Sequence, residues 1–350
     1  MRIGIYALAK DEAANVERWE ESCRDADVRV VTDTGSTDGT QAMLSDRGVT
    51  VVAGCPIPWR WDDAHNLSLM HIPADVDVCI RLDLDEVLDP GWRDGVEKSW
   101  IADTTKLRYW YQWSEKMRFR SDRIHSRHGY RWQGATHEGL VRWSGDEVQT
   151  FTDAVTIRHF REPGKTHKSD LTLLRQAVRE NPLDARMHWY LARELDYADD
   201  PETAEQAHRY LRMQGGAATE RAYAWRILAK REPEKSKRHL FAAMLETTEP
   251  ESPFAFARMA NDMGDHVAAL YHARHCVAAP VDGMTHASDP AAYGPLAAYI
   301  GSSAARELGR MEEALALARE AARRAPDDRA LAANVAVLER LVTEDGPKPE

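Results

Sequence analysis

Cysteine is scarce in this sequence: Cys23, Cys55, Cys79 and Cys276 are the four among 350 residues, and no two stand in a CxxC or another metal-ligand spacing. That excludes a disulfide scaffold and a cysteine-based metal site, and the four read as small buried apolar residues in a reducing compartment. Long apolar runs are also lacking, since none approaches the ~20 residues of a membrane-spanning helix. The opening stretch MRIGIYALAKDE turns acidic too early for a secretory signal, so a cytoplasmic protein with no membrane span is expected. Positive charge is in the minority, with 46 Lys and Arg against 57 Asp and Glu and a formal net charge of −11. Such a balance argues against a general nucleic-acid binder while leaving room for a local basic channel.

What is present fits a soluble globular chain. Apolar residues make up 43% and charged residues 29%, which excludes a disordered or collagenous chain. A length of 350 residues implies about two domains. Nine of the eleven tryptophans precede residue 150, whereas the region after 170 is rich in Ala, Arg, Glu and Leu. A compact mixed domain followed by a helical one is the expected organisation.

The first hundred residues alternate strand and helix patterns. Strands are predicted at 3–8, 28–33, 49–54 and 76–86, and helices at 11–24, 38–48 and 62–72, the second ending at Gly48. Near-continuous apolar strands alternating with helices imply a parallel, doubly wound sheet. Ligands bind such sheets beyond the carboxyl ends of the strands. Residues 104–160 are β-leaning and aromatic, and read as the remaining strands and acceptor-side loops.

Beyond residue 165 the chain repeats. Pro182, Gly216 and Pro250 recur at 34 residues, the tetratricopeptide period. Gly309, Ala314, Ala318, Ala321 and Pro326 sit at that repeat's turn, small-residue and terminating positions, and Leu191, Ala192 and Ala204 do likewise in an earlier unit. The register slips between Pro280 and Pro295, as an inserted loop would cause. An irregular helical bundle is the alternative. Stacked helix pairs bury their apolar faces only against neighbours.

Two acidic strand ends carry the chemistry. DTGSTDGT, from Asp33 to Thr40, is a strand–turn–helix junction with Thr37 or Asp38 as the helix cap, and by itself it is also a well-capped turn. DLDE closes the fourth strand, where Asp83 and Asp85 would share one face. Paired carboxylates repel, and a divalent cation with a preference for oxygen ligands, Mg²⁺ or Mn²⁺, is the usual remedy. A solvated acidic loop is the plain alternative.

Taken together, ALAKDEAANVERWEES, VTDTGSTDGT, WDDAHNLSL and IRLDLDEVL resemble, in order and spacing, the family 2 glycosyltransferases of GT-A fold. YRWQGATHEGL resembles the W-x-G-x-x-H-E stretch of their bacterial branch, in which a tetratricopeptide tail is common. The resemblance implies a GT-A domain over 1–162 and an all-α TPR-like repeat domain over 163–345. It also implies an inverting, metal-dependent transfer of a hexose from a nucleotide-diphosphate sugar, a UDP-sugar first, to a peptide, protein, glycan or other polymer. On matching positions, Asp33 would hold the base or ribose, and Ala7 and Ala9 would line the uracil pocket through their main chain. Asp83 and Asp85 would form the DxD motif, with Asp85 the direct ligand of Mn²⁺ or Mg²⁺, Asp83 toward the ribose and His159 completing the metal shell. His65 and Asn66 stand where the family commonly has A-R-N, so the missing arginine leaves Arg81 and Arg123 to supply positive charge. The single displacement needs one base, for which Glu138 is preferred and Glu86 is the rival, while His137–Glu138 as a structural pair stays open. Trp132, Trp110 and Trp113 are candidates to stack on a sugar, or ordinary core aromatics. A homodimer through the helical repeats is a further expectation. Two other readings remain: a non-catalytic repeat scaffold with a degenerate transferase domain, and a nucleotidyltransferase. The latter is disfavoured because AKDEAAN after the first strand is neither glycine-rich nor basic.

Overall fold

The computed structural model describes residues 1–115, 117–160, 170–280 and 288–344. The chain divides into two compact units, residues 1–182 and 183–350. The domain boundary expected after residue 162 falls within 161–169, outside the described residues.

The first unit is mixed α/β. It runs β1 (Ile3–Ala9), α1 (Val16–Cys23), β2 (Val28–Asp33), α2 (Thr40–Ser45), β3 (Thr50–Ala53), α3 (Trp61–Met70), β4 (Val78–Arg81), β5 (Glu86–Leu88), α4 (Trp92–Ser99), β6 (Lys106–Ser114), β7 (Met117–Ser126), β8 (Tyr130–Gln133), β9 (Gly139–Arg142), β10 (Gln149–His159) and α5 (Leu171–Glu180). Eight strands form one sheet in the order β3-β2-β1-β4-β7-β6-β10-β5, and β8 and β9 form a separate hairpin.

Burial on both faces explains the apolar strands. Ile3, Ile5 and Ala7 of β1 share a cluster with Trp19 of α1, Leu44 of α2 and Trp92 and Val96 of α4. Tyr6 points to the other face, into a cluster with Leu69 of α3, Trp132 of β8 and Leu140 of β9. The expected parallel pairing holds for β3, β2, β1 and β4 and again between β6 and β10, but not throughout the sheet. β7 runs antiparallel to both β4 and β6, and β5 antiparallel to β10. Only residues 115 and 116 separate β6 from β7, a link too short for a parallel crossover. The fourth strand also stops at Arg81 rather than running to residue 86, so the DLD segment forms a turn and its acids do not share a strand face.

The cap of α2 differs in detail from expectation. Gly39 holds the N-cap position at φ 95°, a left-handed conformation that suits glycine. The Asp38 carboxylate accepts from the main-chain N–H groups of Thr40 (3.0 Å) and Ala13 (2.9 Å), so it ties the two loops at the strand ends. Cys23, Cys79 and Cys276 are buried as expected, but Cys55 is exposed.

The second unit is all helical. Its elements are α6 (Ala185–Tyr197), α7 (Thr203–Arg212), α8 (Ala218–Arg231), α9 (Ser236–Glu246), α10 (Glu251–Asp262), α11 (His266–Ala278), α12 (Pro295–Glu307), α13 (Met311–Arg324) and α14 (Arg329–Glu344). Each helix packs on the next, and α6, α8, α10 and α12 also touch in series. Pairs begin at Ala185, Ala218 and Glu251, close to the period read from the sequence, and the fourth is delayed to Pro295. Residues 281–287 of the expected inserted loop lie outside the described residues, and Pro290–Tyr293 form a short 3-10 turn. Small side chains permit the close packing: a Cβ on Gly301 of α12 would stand 3.1 Å from both Ala273 of α11 and Leu317 of α13. Among the described residues, no helix is long and apolar enough to cross a membrane.

One buried relay makes the first unit pH-sensitive. Trp132 Nε1 donates to the Tyr6 hydroxyl (2.8 Å), Tyr6 donates to His125 Nε2 (2.9 Å), and His125 Nδ1 donates to the Ser126 carbonyl (2.8 Å). Burial holds the His125 imidazole down to about 4, so it folds neutral. The unfolded imidazole titrates near 6.5, so as pH falls from there toward 4 the unfolded state takes up a proton that the folded state refuses. Stability should therefore decline by up to roughly 3 kcal/mol over that window. Urea titrations should give a lower midpoint for the first unit at pH 5 than at pH 7, and His125→Gln should flatten that difference.

Candidate functional site

A cavity of about 720 Å³ opens beyond the carboxyl ends of β1, β2 and β4. Its size is that of a small-molecule site. Leu8, Ala9, Lys10, Glu12 and Thr34 line it on one side, Arg81 ends β4 and Asp83, Leu84 and Asp85 follow it, and Cys55, Trp59, Trp61, His65, Thr136, His137, Glu138 and Asp170 complete it.

The β2–α2 loop is shaped by Asp33. Its Oδ2 accepts from the main-chain N–H groups of Gly35 (2.9 Å) and Ser36 (3.0 Å) and from Gln41 Nε2 (2.6 Å). Burial pushes this carboxyl up, but the bonds from Ser36, Gly35 and Gln41 outweigh it and hold it below its ordinary value. Oδ1 is buried and Asp33 is not in the cavity lining, so this side chain shapes the loop rather than facing the ligand space. Ala9 lines the cavity. Ala7 does not, being wholly buried with its carbonyl accepting from Ser68 Oγ (2.9 Å).

Helix α3 staples the 132–138 segment to the sheet. Asn66 Nδ2 donates to the Trp132 carbonyl (2.9 Å) while its Oδ1 accepts from the Trp132 N–H (2.8 Å), as a neighbouring strand would. Asp62 accepts from Gly134 N–H (2.9 Å), and Trp61 N–H donates to the Ala135 carbonyl (3.0 Å). Asn66 thus holds main chain, not ligand. Trp132 is 3% exposed, with the Arg81 guanidinium 4.7 Å over its ring and His65 at 5.3 Å, so its faces are covered and it is core.

Two arginines and three carboxylates interlock beneath the cavity floor. Arg81 reaches both oxygens of Asp83 (3.2 and 3.0 Å) and Glu138 Oε1 (2.8 Å). Arg123 reaches Asp83 Oδ2 (3.1 Å) and Glu86 Oε1 (2.6 Å). Glu86 also accepts from Tyr111 (2.6 Å) and from the Asp83 N–H (3.0 Å), is 2% exposed and is absent from the cavity lining. Burial pushes the Glu86 carboxyl up. Burial would also raise Asp83 and Glu138, but the guanidinium of Arg81 outweighs it in both, aided by Arg123 at Asp83 and by His65 Nε2, 3.2 Å away, at Glu138. Asp83 falls well below the carboxylate range and Glu138 to about 2. His65 is pushed below its ordinary value by burial and by Arg81, so its imidazole is neutral.

Asp85 behaves differently from Asp83. It lines the cavity, and its Oδ2 lies 3.3 Å from Nε2 of His159 at the end of β10. The Phe160 N–H donates to the Asp85 carbonyl (2.7 Å), joining the two segments. Burial lowers the His159 imidazole, but Asp85 outweighs it and raises it. Oxygen and imidazole donors this close suit a divalent cation that takes its other ligands from phosphate and water. Both Asp83 oxygens are occupied by arginine, and no group of three His, Cys, Asp or Glu arranged to hold a metal occurs among the described residues. A protein-only metal cage is therefore absent there, and a two-ligand platform is what the residues fit.

Sequence reasoning passed over Trp59 and Trp61, whose rings meet edge to face at 5.1 Å on the cavity wall. The pair PWRW ahead of a helix was the available signal. Asp170, which accepts from Thr136 Oγ1 (2.8 Å), had none.

Removing the Arg81 cation should be costly. Arg81→Met leaves Asp83 and Glu138 short of a partner, which should destabilise the first unit by about 3–5 kcal/mol in urea at pH 7. Adding Glu138→Gln to that variant should cost less than the two single losses together.

No family model and no curated protein matches this chain. Among solved structures, a thermophilic TPR protein of Thermus thermophilus is 20% identical with a TM-score of 0.31, over 49% of this chain and 89% of its own. MamA is 11% identical with a TM-score of 0.36, over 44% and 85%. The glucosyl-3-phosphoglycerate synthase of Mycobacterium tuberculosis, solved with Mn²⁺, UDP-glucose and glycerol 3-phosphate, is 22% identical with a TM-score of 0.28, over 31% of this chain and 44% of its own. Likenesses of this size leave function to be judged from the chain's own geometry.

Proposed function

We propose that this chain is an inverting, metal-dependent glycosyltransferase, with a GT-A domain followed by TPR-like repeats, that moves a hexose from a nucleotide-diphosphate sugar to a polymer acceptor. A UDP-sugar is the preferred donor, and a peptide, protein or glycan the acceptor. The observation that supports this most is the approach of His159 to Asp85, which lines an acid-rich cavity beyond the strand ends. Glu12, Asp83, Asp85, Glu138 and Asp170 face Lys10 and Arg81 there, and Arg81 is already paired. An unaccompanied diphosphate would be repelled by this lining.

Asp85 and His159 would hold Mn²⁺ or Mg²⁺, which neutralises charge on a departing diphosphate. The chain's own groups do the rest. Asp33 keeps the β2–α2 loop shaped through its bonds to Gly35 and Ser36, while Ala9 borders the cavity at that end. Arg81 sets the charge of the floor through Asp83 and Glu138. Between the two candidate bases, Glu138 borders the cavity and Glu86 does not. With its carboxyl at about 2, Glu138 is ionised throughout the neutral range and weakly basic, so the acidic limb of kcat/KM should lack a titration near pH 4–5 from this group.

Calorimetric titration with UDP tests the reading. Wild type should bind UDP only with Mn²⁺ present, and Asp85→Ala should lose that binding. Asp83→Asn should mainly lose stability, because its carboxylate serves the arginines. Absence of Mn²⁺-dependent UDP binding in the wild type would favour a non-catalytic repeat scaffold instead.

Turnover tests the base. Glu138→Gln should keep UDP and Mn²⁺ affinity and lower kcat by roughly 10²–10⁴-fold. Substantial transfer by this variant would return Glu138 to a purely structural role beside Arg81 and His65.

A further inference from the structure

We propose that Trp113 is a positioning residue of the cation site, setting the ring plane and the tautomer of His159. This rests on the reading of Asp85 and His159 given above. β6 and β10 run parallel with Gln112 opposite Arg158, which brings Trp113 beside His159. The indole and the imidazole are stacked, with centroids 4.4 Å apart and planes 9° from parallel. His159 Nδ1 lies 3.4 Å from the Trp113 main-chain carbonyl, and Nε2 faces Asp85.

A carbonyl can only accept, so it favours the proton on Nδ1 and leaves the lone pair of the neutral ring on Nε2, the side that meets Asp85. Metal-ligating imidazoles are held in this manner as a rule, through the ring nitrogen that does not ligate. The main chain on either side is fixed independently. Arg158 makes a two-pronged pair with Asp89 (2.6 and 2.8 Å), and the Phe160 N–H binds the Asp85 carbonyl. What these contacts leave free is rotation of the ring about its own side-chain bonds, and the indole limits that. Trp113 is itself 45% exposed, so its stack on His159 is not a by-product of core burial.

The test is Mn²⁺ affinity in the presence of saturating UDP, measured by calorimetry and by the electron paramagnetic resonance signal of free Mn²⁺. Trp113→Ala should weaken Mn²⁺ about 10–100-fold, the usual cost of losing an outer partner of a metal ligand. Trp113→Phe, which keeps a stacking face, should restore most of the affinity, the main-chain carbonyl being present in both variants. Thermal stability should change little in either. In a His159→Ala background, Trp113→Ala should cost almost nothing further. Wild-type Mn²⁺ affinity in Trp113→Ala would overturn the proposal, as would equal losses in the Ala and Phe variants or a full additional loss in the His159→Ala background. A wild-type protein that binds no Mn²⁺ with UDP would overturn the cation site itself and this proposal with it.

Discussion

Two guanidinium groups buried among three carboxylates hold the functional end of the first unit together. Arg81 ends β4, Arg123 lies in β7, Glu86 begins β5 and Glu138 precedes β9, so one charge network ties the consecutive strands β4 and β5 to β7 and β9. A buried ion cluster stabilises only when each member is satisfied, because desolvating any one charge is expensive. Each arginine here has two acidic partners and an aromatic face, Trp132 for Arg81 and Tyr111 for Arg123. The aromatic faces shield the cations from water without competing for their hydrogen bonds.

That network separates the two acids of the DLD segment. Asp83 is consumed by arginine on both oxygens, which removes the repulsion that a carboxylate pair would otherwise feel. Asp85, two residues on within the turn, lines the cavity and meets His159. A regular strand would have sent both side chains the same way. Ending β4 at Arg81 frees them to serve different ends, one structural and one facing the ligand space.

Much of the architecture was legible because it is written in local patterns. Apolar strands alternating with helices, the glycine–serine–threonine turn after Asp33 and the 34-residue recurrence of Pro182, Gly216 and Pro250 are all short-range signals, and the corresponding elements are present. The site was legible only in part. Asp85, His159, Ala9, His65, Arg81, Asp83 and Glu138 come together around one cavity or its rim. Asn66 and Trp132 instead hold each other, and Glu86 turns away beneath the floor. Those outcomes depend on which distant strand lies beside which. The antiparallel insertion of β7 between β4 and β6 brings Arg123 to Asp83 across 40 residues, and no periodicity announces it. The same holds for Trp113, whose neighbour His159 is set by β6–β10 register.

The electrostatics of the cavity connect these facts to the proposed chemistry. A basic pocket would hold a diphosphate by itself and would release it slowly after transfer. Here Arg81 is already paired, and the lining carries more acids than bases. On the proposed function, attraction for a phosphate group would come from a divalent cation that Asp85 and His159 would hold. Such an arrangement would bind ligand and cation together and each poorly alone, since either by itself would lack part of its coordination or charge balance. Coupled binding of that kind would also make the imidazole's orientation matter more than its charge: with two protein ligands, a ring turned away would leave Asp85 as the sole anchor.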